Sequence, residues 1–185
     1  MRKQITPLVI TSLRVVALPF IIFSFMQQFH YVTYALFLFA LSTDLLDGYV
    51  AKKLGATSKR GAYFDVVADF VFIIGMFLAF IVEEIYPPWI LLFIITAFIQ
   101  FILTSVYLKQ TVYDPIGKYY GSLMYGGIGL TLLFPEQIVY DIVLIGIIAS
   151  TIVALFSRLV FLLLAQNRKK LKTAAKGEGK HAVLP

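Results

Sequence analysis

Four aspartates between residues 44 and 69 are the groups in this sequence best placed to do chemistry. Asp44 and Asp47 are spaced i, i+3, and Gly48 and Ala51 follow at i+4 and i+7. On a helix these four positions share one face. Asp65 and Asp69 are spaced i, i+4 on the next apolar segment, with Gly61 one turn earlier on the same stripe. A short connection near residues 55–60 predicts that the two helices form an antiparallel pair, with the acidic stripes able to face each other. Such a cluster is costly inside a membrane. One Asp at the centre of a bilayer helix costs roughly 2.5–3.5 kcal/mol, and carboxylates this close repel one another. A divalent cation resolves both problems. Carboxylates around one or two Mg²⁺ or Mn²⁺ ions form a hard oxygen site, and such ions commonly hold substrate phosphates too. Gly48 and Ala51 leave room on the same face for a bulky group. The other reading of the four acids is that they cap helix ends, pair with cations or line a pore.

The elements that must position these groups follow from composition. The chain has 185 residues, of which 60% are hydrophobic and 14% charged, and its mean hydropathy is +0.88. Soluble domains average about 45–50% apolar and 25% charged, so a soluble, disordered or fibrous class is excluded. The sequence predicts an all-α integral membrane protein. With about 20 apolar residues needed per span, six segments qualify, near 7–28, 31–54, 61–83, 88–109, 116–134 and 138–165. They fill residues 1–167 as one transmembrane domain, leaving 168–185 as a basic, flexible tail or a segment lying on the lipid surface. Arg2 and Lys3 before an apolar run look like a signal peptide. Arg14 interrupts that run and no clear cleavage site follows, so the segment reads as a retained span. With no cysteine, disulfides, zinc–thiolate sites, iron–sulfur clusters and Cys nucleophiles are excluded. His30 and His181 are the only histidines, which leaves no His-rich metal site.

Charge gives the orientation. All 16 Lys and Arg fall at the N-terminus, in the second and fourth connections, in the tail, or at span ends facing that side. The other three connections have none, and Glu83, Glu84, Glu136 and Asp141 lie near them instead. The positive-inside rule then places both termini, and the aspartates near the same side, in the cytoplasm. The net charge of +6 reads as topology plus contact with anionic headgroups, not as nucleic-acid binding.

The full pattern resembles a known signature. Asp44-x-x-Asp47-Gly48-x-x-Ala51-Lys52, followed after eight residues by Gly61-x-x-x-Asp65-x-x-x-Asp69, is similar to that of the CDP-alcohol phosphotransferases (CDP-alcohol phosphatidyltransferases). Lys52 stands where that family usually has Arg. Thr11, Arg14 and Pro19 resemble its usual N-terminal run. The resemblance implies a phospholipid-synthesising enzyme, a transferase of substituted phosphate groups. A CDP-linked lipid, of CDP-diacylglycerol or CDP-archaeol type, gives its phosphatidyl or ether-lipid group to the hydroxyl of a small polar alcohol, and CMP leaves. It also implies that Asp44, Asp47 and Asp65 are metal ligands and Asp69 is the general base. Gly48, Ala51, Lys52, Thr57 and Gly61 would form the nucleotide pocket. Asp69 lies one turn deeper than Asp65, in surroundings whose low polarity suits a base. A homodimer in the cell membrane, with its active site facing the cytoplasm, is implied as well.

Gly117-Lys118 resembles half of the Gly-Lys-x-Lys-Thr run of members that use glycerophosphate, with Tyr120 where the second Lys would stand. Arg158 and Arg14 lie within apolar spans, where an Arg faces protein or a water-filled cavity. Lys118, Arg158 and Arg14 are therefore candidates for an acceptor phosphate, as in glycerol 3-phosphate or inositol phosphate. The departures Val66 and Phe70 after two of the aspartates leave serine and other unphosphorylated alcohols open. Gly117-x-x-x-Gly121 and Gly126-Gly127-x-Gly129 read as packing or dimerisation surfaces. The competing function is a cation- or proton-coupled transporter using the intramembrane aspartates. It would favour a repeated half with interrupted helices, and the sequence has no convincing repeat.

Overall fold

Six helices follow one another: α1 (Arg2–Met26), α2 (His30–Leu54), α3 (Lys59–Val82), α4 (Ile90–Leu108), α5 (Gly117–Leu133) and α6 (Gln137–His181). The structure is a computed structural model. It describes the backbone of residues 2–54, 59–108 and 117–181 and the side chains of residues 12–43, 64–104 and 119–160.

Two helices end in the same way for the same reason. At the end of α1, Phe29 N–H donates to the Ser24 carbonyl (2.9 Å) and Gln28 N–H to that of Phe25 (2.9 Å). At the end of α3, Ile85 N–H donates to Phe80 (2.9 Å) and Glu84 N–H to Ile81 (3.0 Å). Both are Schellman closures, which need a left-handed residue one place past the cap. Gln28 and Glu84 fill that place, each with φ of 58°. No glycine marks either turn, yet the polar pairs Gln27-Gln28 and Glu83-Glu84 do mark where the apolar runs stop.

Helix α1 packs along both α2 and α3, α6 packs along α4 and α5, and α5 touches α2 and α3 to join the two groups. The buried core runs through the middle, with Ile21, Phe37, Phe72, Met76, Phe77, Ile94, Met124, Ile128 and Ile147. Glycines set the closest approaches. A Cβ on Gly75 would meet Leu18 Cδ2 of α1 at 2.7 Å, and one on Gly129 would meet Phe37 of α2 at 3.3 Å. Gly127 lies similarly against Val143 of α6, whereas Gly121 and Gly126 face open space. Phe70 stacks on Phe98 (centroids 3.6 Å) to hold α3 to α4.

Polar side chains share the interior with the apolar core, and large apolar side chains also cover the outside. Arg14, Ser24, Thr33, Thr131, Thr151 and Arg158 are buried. The exposed residues include apolar stripes at helical spacing, such as Leu13, Val16, Phe20 and Phe23 on α1 and Leu92, Ile95, Ile99 and Leu103 on α4. Soluble monomers rarely expose such continuous apolar faces. Among the described residues, Phe64–Val82 and Gln137–Val160 are long and apolar enough to cross a membrane. Helix α6 then continues unbroken to His181, through the stretch where the sequence predicts a flexible tail. Its Ala, Leu, Lys, Arg and Gln are good helix formers, and a helix already formed extends at little cost.

Candidate active site

Asp65 and Asp69 sit one turn apart on α3, and both meet a cation from α1. Leu18, one turn along α1 from Arg14, seats against Gly75. This close approach of the two helices brings the guanidinium to the aspartates. Arg14 Nη1 donates to Asp69 Oδ1 and lies 4.0 Å from Asp65 Oδ1. The Arg14 side chain is fully buried, Asp69 is 27% exposed and Asp65 is 42% exposed. The cation is therefore enclosed, and the two carboxylates beside it are partly exposed.

A third helix closes the group. Tyr125 of α5 donates its hydroxyl to Asp69 Oδ1 at 3.1 Å. Its ring stacks on the buried Phe72 of α3 (5.3 Å), and the Arg14 guanidinium lies 6.0 Å from its centroid. Tyr125 was not legible as a site residue. In the sequence it is one more aromatic in an apolar run, and its neighbours Gly126 and Gly127 suggest packing.

Arg158 has other partners. It is 5% exposed; its Nη1 donates to the Ala97 carbonyl of α4 at 3.2 Å, and its Cζ lies 4.7 Å from the Phe101 ring centroid. Gln100 returns the link, donating to the Leu155 carbonyl of α6 at 3.2 Å, while its buried Oε1 has no hydrogen-bond partner. The Tyr120 and Thr151 hydroxyls are 2.8 Å apart, tying α5 to α6. So Arg14 joins the aspartates, and Arg158 joins a polar seam between α4 and α6.

The remaining expected residues are placed by their backbone alone. Asp44, Asp47, Gly48, Ala51 and Lys52 fall in the last turns of α2, Gly61 at the start of α3 and Lys118 at the start of α5. Their side chains lie outside the described residues, and Thr57 lies outside them altogether. Whether the two acidic stripes face each other falls there too. Among the described residues no three carboxylate or imidazole side chains gather. The donor chemistry nevertheless suits a hard divalent cation. Arg14 offsets one charge of the Asp65–Asp69 pair, and two further carboxylates are carried on α2.

A sequence family described as CDP-alcohol phosphatidyltransferase matches residues 4–164. The chain belongs to that family. Three of the proteins it resembles are each named CDP-diacylglycerol--glycerol-3-phosphate 3-phosphatidyltransferase. The one from Haemophilus influenzae is 37% identical over 87 residues, covering 45% of this chain and 46% of that protein. One from Yersinia pestis is 35% identical over 89 residues, covering 46% and 48%. One from Sodalis glossinidius is 34% identical over 89 residues, with the same coverage. The chain thus spans about half the length of the curated relatives it matches. No solved structure matches. In this member of the family, α2 carries Asp44 and Asp47, α3 carries Asp65 and Asp69, and α1 supplies a cation to the latter pair.

Proposed function

We propose that this chain is an integral membrane enzyme of phospholipid synthesis. It transfers a phosphatidyl group from a CDP-linked lipid to the hydroxyl of glycerol 3-phosphate, releasing CMP. The observation that carries this reading is Asp69, ion-paired yet partly exposed, in a chain that belongs to the CDP-alcohol phosphatidyltransferase family. The relatives' printed names favour glycerol 3-phosphate as acceptor and CDP-diacylglycerol as donor.

In this reading, Asp69 is the general base. It takes the acceptor's hydroxyl proton as that oxygen attacks the lipid-bearing phosphorus of the donor. The new P–O bond forms, the bond to the CMP oxygen breaks, and CMP keeps the electron pair. Asp44, Asp47 and Asp65 would hold one or two Mg²⁺ or Mn²⁺ ions. Their chemistry is to neutralise the diphosphate and the charge developing on the leaving group. Gly48, Ala51, Lys52, Thr57 and Gly61 form the nucleotide pocket, and Lys118 and Arg158 serve the acceptor phosphate.

We read all six helices as spans, with both termini and the site on the cytoplasmic side of the cell membrane and a homodimer as the working unit. The exposed apolar stripes support the membrane setting, and the basic connections support the orientation. At about 1.5 Å per residue, the 45 residues of α6 reach roughly 68 Å. That is about twice the 30 Å hydrocarbon layer, so the basic end of α6 projects beyond it.

The test is CMP release by purified protein in detergent with CDP-diacylglycerol and Mg²⁺. The acceptors are glycerol 3-phosphate, inositol phosphate, inositol and serine. Release with glycerol 3-phosphate that stops on adding EDTA is expected. No release with any acceptor, from either CDP-diacylglycerol or CDP-archaeol, would overturn the reading.

A further inference from the structure

The two recorded donors to Asp69 come from different helices and end on the same atom. Arg14 Nη1 of α1 and Tyr125 Oη of α5 both reach Oδ1. No donor among the described residues reaches Oδ2. We propose that Arg14 and Tyr125 are positioning residues that hold Asp69 by Oδ1 and present Oδ2 to the acceptor hydroxyl. This rests on Asp69 being the base.

The physical case has three parts. First, an Asp side chain turns about two torsions, and a base must sit within hydrogen-bond reach of its proton to work. Two donors on the one oxygen, from α1 and from α5, fix both torsions, because rotating the carboxylate breaks both bonds together. Second, burial separates the roles. Arg14 is 0% exposed while Asp69 retains 27%, so the anchor is enclosed and the carboxylate is the accessible member of the pair. That geometry suits Arg14 to holding the base, rather than to binding the acceptor phosphate. Third, the anchors are themselves held. The Tyr125 ring stacks on Phe72, and the α1 backbone is seated by Leu18 against Gly75. A base whose supports are locked by packing keeps its aim. The proton then passes from the acceptor oxygen to Oδ2 as the oxygen–phosphorus bond forms and CMP departs, with Oδ1 still held.

Tyr125→Phe is the cleanest test, since it keeps the ring and its stack and removes only the hydroxyl. The expected result is a fall in kcat of about tenfold, the scale of losing one bond to a charged group. The KM for each substrate should stay close to wild type, and the melting midpoint should fall by only a few degrees. Arg14→Lys should retain more kcat than Arg14→Met, because it keeps the charge and loses the fork. An unchanged kcat in Tyr125→Phe overturns the proposal. So does Arg14→Lys raising the acceptor KM at unchanged kcat, which would put Arg14 on the acceptor. If Arg14→Met does not fold, Tyr125→Phe and Arg14→Lys decide. Wild-type protein with no CMP release removes the base reading itself. That result is distinct from an active wild type with indifferent variants.

Discussion

Arg14 is a buried cation whose loss should be expensive, and the structure says how expensive. Removing one member of a fully buried ion pair costs about 3–5 kcal/mol, mainly because the other charge is left without a partner. Here the charge left behind is Asp69, which is 27% exposed and keeps its bond from Tyr125. Both facts reduce the penalty, and about 2–3 kcal/mol is a reasonable figure for Arg14→Met. For a chain of this size, 1 kcal/mol moves the midpoint by about 2–4 °C, giving a drop of roughly 5–10 °C. The double variant Arg14→Met, Asp69→Asn removes the stranded charge and should recover much of that drop. Recovery should be incomplete, because Asp65, 42% exposed, lies 4.0 Å from Arg14 and also loses a neighbour. The assay is the thermal midpoint of the four proteins of this cycle in one detergent at one pH. Additive losses, or a single variant as stable as wild type, would refute the claim that Arg14 compensates Asp69.

Asp69→Asn keeps the shape of the side chain and its bond from Tyr125 but cannot take a proton. It should retain CMP and Mg²⁺ binding by calorimetry while losing nearly all turnover, and full activity would end its assignment as base. Arg158→Ala should raise the KM for a phosphorylated acceptor more than that for the CDP-lipid, and an unchanged acceptor KM would leave Arg158 as a structural link between α6 and α4. Tyr86, buried in the α3–α4 connection 2.6 Å from the Thr131 hydroxyl, is pushed by burial from 10.0 up to about 12. The unfolded chain gives up this proton first, so stability is lost as pH rises from about 10 toward 12. Tyr86→Phe should melt with a shallower pH dependence in that window, and equal slopes would contradict the shift.

The helices were largely legible because their signals are local. Residues 61–83 were expected as the third span, and α3 runs Lys59–Val82. The next pair of breaks, at Glu83-Glu84 and Pro87-Pro88, brackets the α3–α4 connection. The end of α6 was not legible, because a basic stretch with two glycines carries no strong stop signal and its helix is continued from the apolar part. In the site, the i, i+4 spacing of Asp65 and Asp69 was visible at once. Tyr125 and the pairing of Arg14 were not. A period of 3.6 tells which residues share a face but not which helix that face meets.

By itself, the sequence determined that this chain is helical, apolar and one-sided in its charge, and that four of its aspartates come in two pairs at helical spacing. Each of these properties is set within a turn or two of chain, where composition and period suffice. The tertiary structure decided which cation belongs to which group. Arg14 and Arg158 look alike in sequence, each an Arg within an apolar run. Arg14 meets aspartates some 50 residues away because α1 packs against α3 at Gly75. Arg158 meets a backbone carbonyl and a ring because α6 packs against α4. The order in which helices pack is a property of the whole bundle, fixed by where small residues let backbones approach, and no single segment encodes it.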